Sequence, residues 1–377
     1  MKQIIDKNLK LENGSLLTID EKYLKPLEEE INNFINSQEY MQQIDFAKQM
    51  LSVEIKYNNT IEGIYDELSF IEEVIQNNSS PESKKRKRIL NLYRGYKYIL
   101  THDNINAQSL KELYQILSDG LLSDYDLQYM GQFYRQDAVY IYKTANIFQI
   151  PYKGVDENKL EEYMNYYFEY VNKQESLGES KFLKSQIMHF YFVYIHPYFD
   201  VNGRTSRTLA MWYLLNNKLY PYIIFNRAIS FLRKDYINSI IKSRETGDLT
   251  FFLQYILNSV YKELEKEYII NNIKNIYSNN LTKEEIEIIQ YVLTIKGNLT
   301  IKDIVTFYNQ YNPKRSVEFI YNTRIKSLLE KNILLFGNET NSYINSNFKN
   351  CFLYFNPKLF DIDCQKLKYL DIKRLIK

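Results

Sequence analysis

Apolar side chains recur every three or four positions near the start of the chain, at Leu27, Ile31, Phe34 and Ile35 and then at Phe46, Met50, Val53 and Ile64. That period puts one apolar stripe on a helix, so a helical segment is expected from Ile19 to Gln76. The turn formers and helix breaker of Asn77-Asn78-Ser79-Ser80-Pro81 end it. The basic run Lys84 to Arg88 precedes Ile89, Leu90, Tyr93, Tyr96 and Ile99, and it reads as the solvated start of another helix. Further helical patterns lie at 107–119 and 157–173. Between them, Ala138 to Pro151 is rich in Val, Ile, Tyr and Phe around Lys143-Thr144-Ala145-Asn146, which predicts a short β-hairpin or extended flap.

A dense apolar helix over Phe182–Ile195 runs into His196, and a second helix over Thr205–Leu215 begins just after Asn202-Gly203, giving a helix–loop–helix. Helical patterns follow at 229–245 and 249–270, and the polar stretch Asn271–Asn280 reads as a connector. The remainder has helical patterns at 282–296, 300–310 and 315–331 and extended segments at 333–336 and 343–355. Three short helices and a two-stranded ribbon suggest a winged helix. No repeat of solenoid period is present. The expected fold is mainly α, with boundaries near residues 82 and 270.

Composition narrows the classes without choosing among them. A length of 377 residues accommodates two or three domains. The hydrophobic content of 45% and charged content of 25% are those of a soluble protein. No apolar run has the length of a membrane span, and the N-terminus lacks the pattern of a signal peptide, so a cytoplasmic protein without a membrane partner is expected. Cys351 and Cys364 have no histidine nearby and form no zinc pattern. A net charge of +2 calls for no polyanion.

Candidate chemistry is concentrated in residues 196–207, His-Pro-Tyr-Phe-Asp-Val-Asn-Gly-Arg-Thr-Ser-Arg. A histidine titrates near neutrality and can accept a proton from a hydroxyl, so His196 is a candidate general base. Asp200 is a hard oxygen ligand of the kind Mg²⁺ uses while it also holds phosphates. Asn202-Gly203 opens a helix whose N–H groups and dipole favour an anion, and Arg204 and Arg207 add fixed charge one turn apart. Base, metal ligand, glycine turn and two arginines within twelve residues form a site for a nucleotide polyphosphate.

This segment resembles the signature of the Fic family, roughly His-x-Phe-x-Asp/Glu-Gly-Asn-Gly-Arg-x-x-Arg. The resemblance implies a Fic-type helical bundle with a β-hairpin flap and an activity that moves AMP from ATP to a hydroxyl of a protein. By the same resemblance His196 deprotonates the target, and Asp200 binds Mg²⁺ on the α- and β-phosphates. Val201, Asn202, Gly203, Arg204, Thr205 and Ser206 form the phosphate cradle, and Arg207 engages the γ-phosphate. Gly203 matches the AMP-transferring form, where Doc-type phosphotransferases carry lysine. Tyr198 and Val201 depart from the pattern: glycine, expected in place of Val201, takes positive φ freely, whereas a β-branched residue resists it.

Asn58-Asn59-Thr60-Ile61-Glu62-Gly63 resembles the family's inhibitory motif, Ser/Thr-x-x-x-Glu-Gly/Asn, with Asn58 as the departure. That implies a pairing of Glu62 with Arg207 that blocks a productive ATP pose, and it leaves open a reverse activity that removes AMP. Gly131-Gln132-Phe133 and Arg135 lead into the flap, where Ile141 and Tyr142 are candidates for registering the target segment. Tyr236 stands where the family often has a tyrosine near the adenine, with a core role as the alternative. The implied organisation is an N-terminal segment with an inhibitory helix at 1–82, a catalytic domain at 83–270 and a winged-helix-like domain at 271–377. The implied partners are ATP and a hydroxyl-bearing protein target, with self-modification and a homodimer left open. Arg315, Arg324, Lys326 and Lys331 on the 315–331 segment leave DNA as a further partner. The rival readings are a DNA-binding regulator with a degenerate Fic unit and a phosphoryl or other nucleotidyl transferase.

Overall fold

The computed structural model describes residues 2–37, 51–77, 83–141, 152–174, 180–278, 280–295, 299–337, 350–360 and 367–370. The chain divides into two compact units, one formed by Met1–Gly63 with Ile71–Val260 and the other by Ile64–Phe70 with Tyr261–Lys377.

The first unit opens with an antiparallel pair, β1 (Gln3–Ile4) and β2 (Thr18–Ile19). Ile19, expected to start a helix, is therefore a strand residue, and the helix α1 (Glu21–Asn36) begins behind the cap Asp20, whose side chain accepts from the Lys22 N–H. Next come α2 (Leu51–Ile61), α3 (Leu68–Asn77), α4 (Lys84–Ile99), α5 (Ala107–Ser118) and the short α6 (Asp124–Gln128). In the flap, β3 (Tyr140–Ile141) pairs antiparallel with β4 (Tyr152–Lys153), two residues beyond the expected end at Pro151. Tyr142 lies outside the described residues.

Beyond the flap stand α7 (Leu160–Asn172), α8 (Lys181–Ile195), α9 (Asn202–Asn216), α10 (Phe225–Ser230) and α11 (Arg233–Thr246), and α12 (Thr250–Ile276) begins in this unit and continues into the second from Tyr261. The expected single helix at 229–245 is thus two, parted where Phe231 turns inward to pack edge-on against Tyr57, with ring centroids 5.5 Å apart. The connector expected after residue 270 is still helical, because Ile269, Ile270 and Ile273 continue a buried stripe. The pair α8 and α9 forms the centre of the unit. Helix α8 is buried along nearly its whole length, the polar Lys184, Ser185, Gln186 and His189 included.

In the second unit α13 (Lys283–Thr294) and α14 (Ile301–Tyr311) each begin in a reciprocal capping box, Thr282 with Glu285 and Thr300 with Asp303. The segment expected as one helix at 315–331 is α15 (Val317–Ile320), a π turn over Tyr321–Ile325, and α16 (Lys326–Glu330). The π turn's five-residue step keeps Ile320 and Ile325 both buried. Strands β5 (Leu334–Phe336) and β6 (Leu353–Phe355) pair antiparallel. Cys351 is buried, and Cys364 lies outside the described residues.

Candidate active site

Two left-handed residues bracket the loop between α8 and α9. His196 closes α8 at φ 55°, and Pro197 follows, so the helix cannot continue. Val201 caps α9 at φ 66°, the conformation the sequence would assign to glycine. A buried β-branched residue there stores strain on the order of 1–3 kcal/mol.

The loop is held shut from inside. Asn202 Nδ2 donates to the Tyr198 carbonyl at 2.7 Å, and its Oδ1 accepts from the Tyr198 N–H at 3.1 Å. Its side chain therefore shapes the loop, and what it offers an anion is its backbone N–H at the start of α9. Thr205 Oγ1 donates to the Val201 carbonyl and Ser206 Oγ to the Gly203 carbonyl, at 2.9 and 2.8 Å. These hydroxyls likewise brace the first turn and do not reach outward. Tyr198 is buried and stacks on Tyr114 with centroids 3.5 Å apart, filling the space expected for phenylalanine. Its hydroxyl has no hydrogen-bond partner among the described residues.

His196 Nδ1 lies 3.2 Å from the Val193 carbonyl. With the proton on that nitrogen, Nε2 carries the lone pair. Burial first, with Arg135 and Arg244 adding positive charge nearby, pulls the imidazole down to about 4, so it is neutral at physiological pH.

Sequence reasoning did not single out Arg135 as a site residue, yet it anchors this histidine. Its Nε donates to the His196 carbonyl at 3.0 Å, Nη1 to the Asp137 carbonyl at 2.7 Å and Nη2 to the Val155 carbonyl at 2.5 Å. One guanidinium thereby ties the base of the flap to the loop between α8 and α9. The Gly131-Gln132-Phe133 segment was the only local signal for it. Ile141 is half-buried in β3, opposite Tyr152 of β4.

At the other end of the cradle, Arg207 is buried and its Nη2 donates to Glu62 Oε1 at 2.6 Å. Glu62 follows the last residue of α2, and Gly63 at φ 80° ends that helix. A carboxylate at a helix C-terminus opposes the dipole, and burial alone would raise its pKa. Arg207, Arg204 and Arg233 outweigh both effects and hold Glu62 below the usual glutamate value. Gly203 leaves room for this carboxylate: a Cβ there would collide with Glu62 Oε1 and stand 3.1 Å from Arg207 Nη1.

Arg233, also not foreseen, fixes the end of α2 by donating from Nε to the Ile61 carbonyl. Tyr236 is buried, with its hydroxyl 2.8 Å from His189 Nε2 and close enough to feel the Arg207 charge. It stands in the core behind Arg207.

Asp200 is the exposed member. Its Oδ1 accepts from the Val201 N–H at 2.6 Å and lies 3.9 Å from Arg204 Nη2, with 60% of the side chain exposed. Among the described residues no group of three or more acidic, histidine or cysteine side chains is placed to hold a metal by itself. One accessible carboxylate suits Mg²⁺ that arrives on phosphates and keeps its waters. The N–H groups of Asn202, Gly203 and Arg204 precede the first intrahelical bond, Thr205 N–H to the Val201 carbonyl. Without partners inside the helix and close to Arg204 and Arg207, they make a cradle for an anion.

In the second unit the cations read as a DNA-facing set are mostly matched by carboxylates. Arg315 pairs with Glu67 at 2.8 Å, Lys331 with Glu285 at 2.7 Å and Lys326 with Glu330 at 3.8 Å.

The site is that of a helical protein with a neutral imidazole facing an anion cradle. Residues 104–214 match the sequence model of the Fic/DOC family, which identifies that part of the chain as a Fic/DOC segment. The structure is similar to that of a Fic family protein from Desulfovibrio desulfuricans G20, at 16% identity and a TM-score of 0.55, covering 89% of this chain and 96% of that one. It is also similar to Fic-1 (aa134 - 508) from C. elegans, at 16% identity and a TM-score of 0.50, covering 69% of this chain and 73% of that one. The mainly helical fold with small antiparallel strand pairs is therefore a Fic fold. No helix among the described residues is long and apolar enough to cross a membrane.

Proposed function

We propose that the chain transfers AMP from ATP to a hydroxyl of a protein and that Glu62 restrains this activity. The observation that carries the proposal is the juxtaposition of a neutral His196, with Nε2 available, and a helix N-terminus flanked by Arg204 and Arg207. In this reading the target hydroxyl gives its proton to His196 Nε2 as its oxygen attacks the α-phosphorus. The bond between the α- and β-phosphates breaks, and pyrophosphate leaves. The N–H groups of Asn202, Gly203 and Arg204 stabilise the charge that builds on the phosphates. Asp200 would hold Mg²⁺, which when bound neutralises phosphate charge and orients the chain of phosphates. Strand β3 or β4 offers an open edge for pairing with an extended target segment.

Glu62 occupies the Gly203 side of the cradle and engages Arg207 Nη2, so a γ-phosphate and Glu62 compete for one guanidinium. Gly203, where the Doc-type phosphotransferases carry lysine, supports nucleotidyl over phosphoryl transfer. The winged-helix reading of the second unit stays part of the proposal as an accessory module. Incubation with α-labelled and γ-labelled ATP tests the reaction class. Label retained on protein only from the α-position, and lost roughly 100- to 10,000-fold in His196→Ala, supports AMP transfer; retention of γ-label overturns it.

A further inference from the structure

We infer that Asn58 is a positioning residue for Arg207, so that α2 is a fixed wall of the nucleotide site as well as the carrier of Glu62. This rests on the nucleotide site proposed above. Arg207 Nε donates to Asn58 Oδ1 at 3.0 Å. Nη2 reaches the same oxygen at 2.7 Å and the Asn58 carbonyl at 3.2 Å. The amide is itself oriented, because Asn58 Nδ2 donates to the Tyr96 hydroxyl of α4 at 2.9 Å. Swapping the amide atoms would turn an NH₂ group toward a guanidinium that has only donors. The chain Tyr96–Asn58–Arg207 therefore has one consistent direction, and all three residues are buried.

The guanidinium is divided by these contacts. Its Nε edge belongs to Asn58, whereas Nη1 and the rest of Nη2 face Gly203 and Glu62. Loss of Glu62 frees only the face that a terminal phosphate would meet, and Asn58 continues to hold the back. The surroundings of α2 fit this division. Ile55, Tyr57, Asn58, Asn59, Thr60 and Ile61 are all buried, so the helix is embedded, while Glu62 at its tip is exposed. A fixed fork recognises phosphate oxygens better than a loose one, because less side-chain freedom is lost on binding.

The test reads binding, so it is separable from AMP transfer. Affinities of ATP and ADP, each with Mg²⁺, are measured by calorimetry for Glu62→Gly. ATP is expected to bind more tightly, since only ATP places a phosphate at Arg207. Adding Asn58→Ala is expected to cut that preference on the order of tenfold, the worth of one charge-assisted hydrogen bond. Tyr96→Phe should cut it less, and Asn58→Ala should do nothing further in an Arg207→Ala background. An Asn58 that merely fills space would lower the melting temperature and shift ATP and ADP alike. A folded Asn58→Ala protein with the preference intact, or a Glu62→Gly protein with no preference, overturns the inference. If Asn58→Ala does not fold, an unchanged preference in Tyr96→Phe does the same. Preference lost as expected but without α-label transfer would instead remove the AMP-transfer reading and leave this one standing.

Discussion

Glu62 Oε1 sits 2.6 Å from Arg207 Nη2 and against the open face of Gly203, so one carboxylate occupies both the guanidinium and the mouth of the helix that would cradle phosphate. Its position at the end of α2 is electrostatically unfavourable for the helix, and three arginines compensate. The pair therefore responds to whatever competes for those arginines, and a polyphosphate is the chemistry best suited to do so.

Acid affects His196, the candidate base, and the fold with the same sign. His196 is held down at about 4 and His189, chiefly by burial, at about 3. Glu62 is also depressed. Each group binds fewer protons folded than unfolded, so stability falls as pH drops below the ordinary histidine value, and below about 4.5 Glu62 adds to the loss. The melting temperature is expected to decline from about pH 6.5 toward pH 4, a loss that Glu28, raised to about 7 by burial, partly offsets. Labelling by Glu62→Gly should stay level down to about pH 5 and then fall. An acid limb centred near pH 6.5 would contradict the neutral, half-buried His196.

Arg135 satisfies three carbonyls at once, so a lysine cannot replace it. Arg135→Lys is expected to lose about 2–3 kcal/mol of stability, by orphaning buried carbonyls. It should also lose turnover through the displaced His196 while leaving nucleotide affinity nearly intact. Denaturant unfolding and calorimetry on the same variant check both. An equal loss in affinity and turnover would mean that Arg135 acts elsewhere.

Val201 already follows the backbone path of a glycine. In Val201→Gly, relief of about 1–3 kcal/mol of strain opposes loss of about 1.5–3 kcal/mol of side-chain burial. The midpoint of unfolding should therefore move little, and ATP affinity should change by less than about threefold. A tenfold gain in affinity would show that the valine side chain, and not the loop's path, limits nucleotide access.

What could be read from the chain follows the range of the signals. Helices α5, α8, α13 and α14 carry local periodicity and caps, and they stand close to their expected bounds. The loop residues His196 to Arg207 lie together in sequence, as did the Glu62-Gly63 pair. The rest depends on contacts between distant segments. Nothing local announces that Arg135 reaches the His196 carbonyl, that Arg233 reaches Ile61, or that Asn58 faces Arg207 across 149 positions. The break between α10 and α11 carries no glycine or proline and lies where Phe231 packs against Tyr57, a contact between distant segments. Asn202, Thr205 and Ser206 have residue types suited to phosphate, and only the structure shows their side chains turned to the loop's own backbone.

Obstruction by Glu62 of a cradle for AMP transfer is the proposal on which the others depend. The most direct measurement compares incorporation of α-labelled ATP into protein by the unaltered chain and by Glu62→Gly, with Mg²⁺ and a cell lysate as the source of targets. The account predicts a rise on the order of tenfold or more on removing Glu62, abolished by adding His196→Ala. Equal labelling by the two proteins, or label that persists without His196, would contradict it.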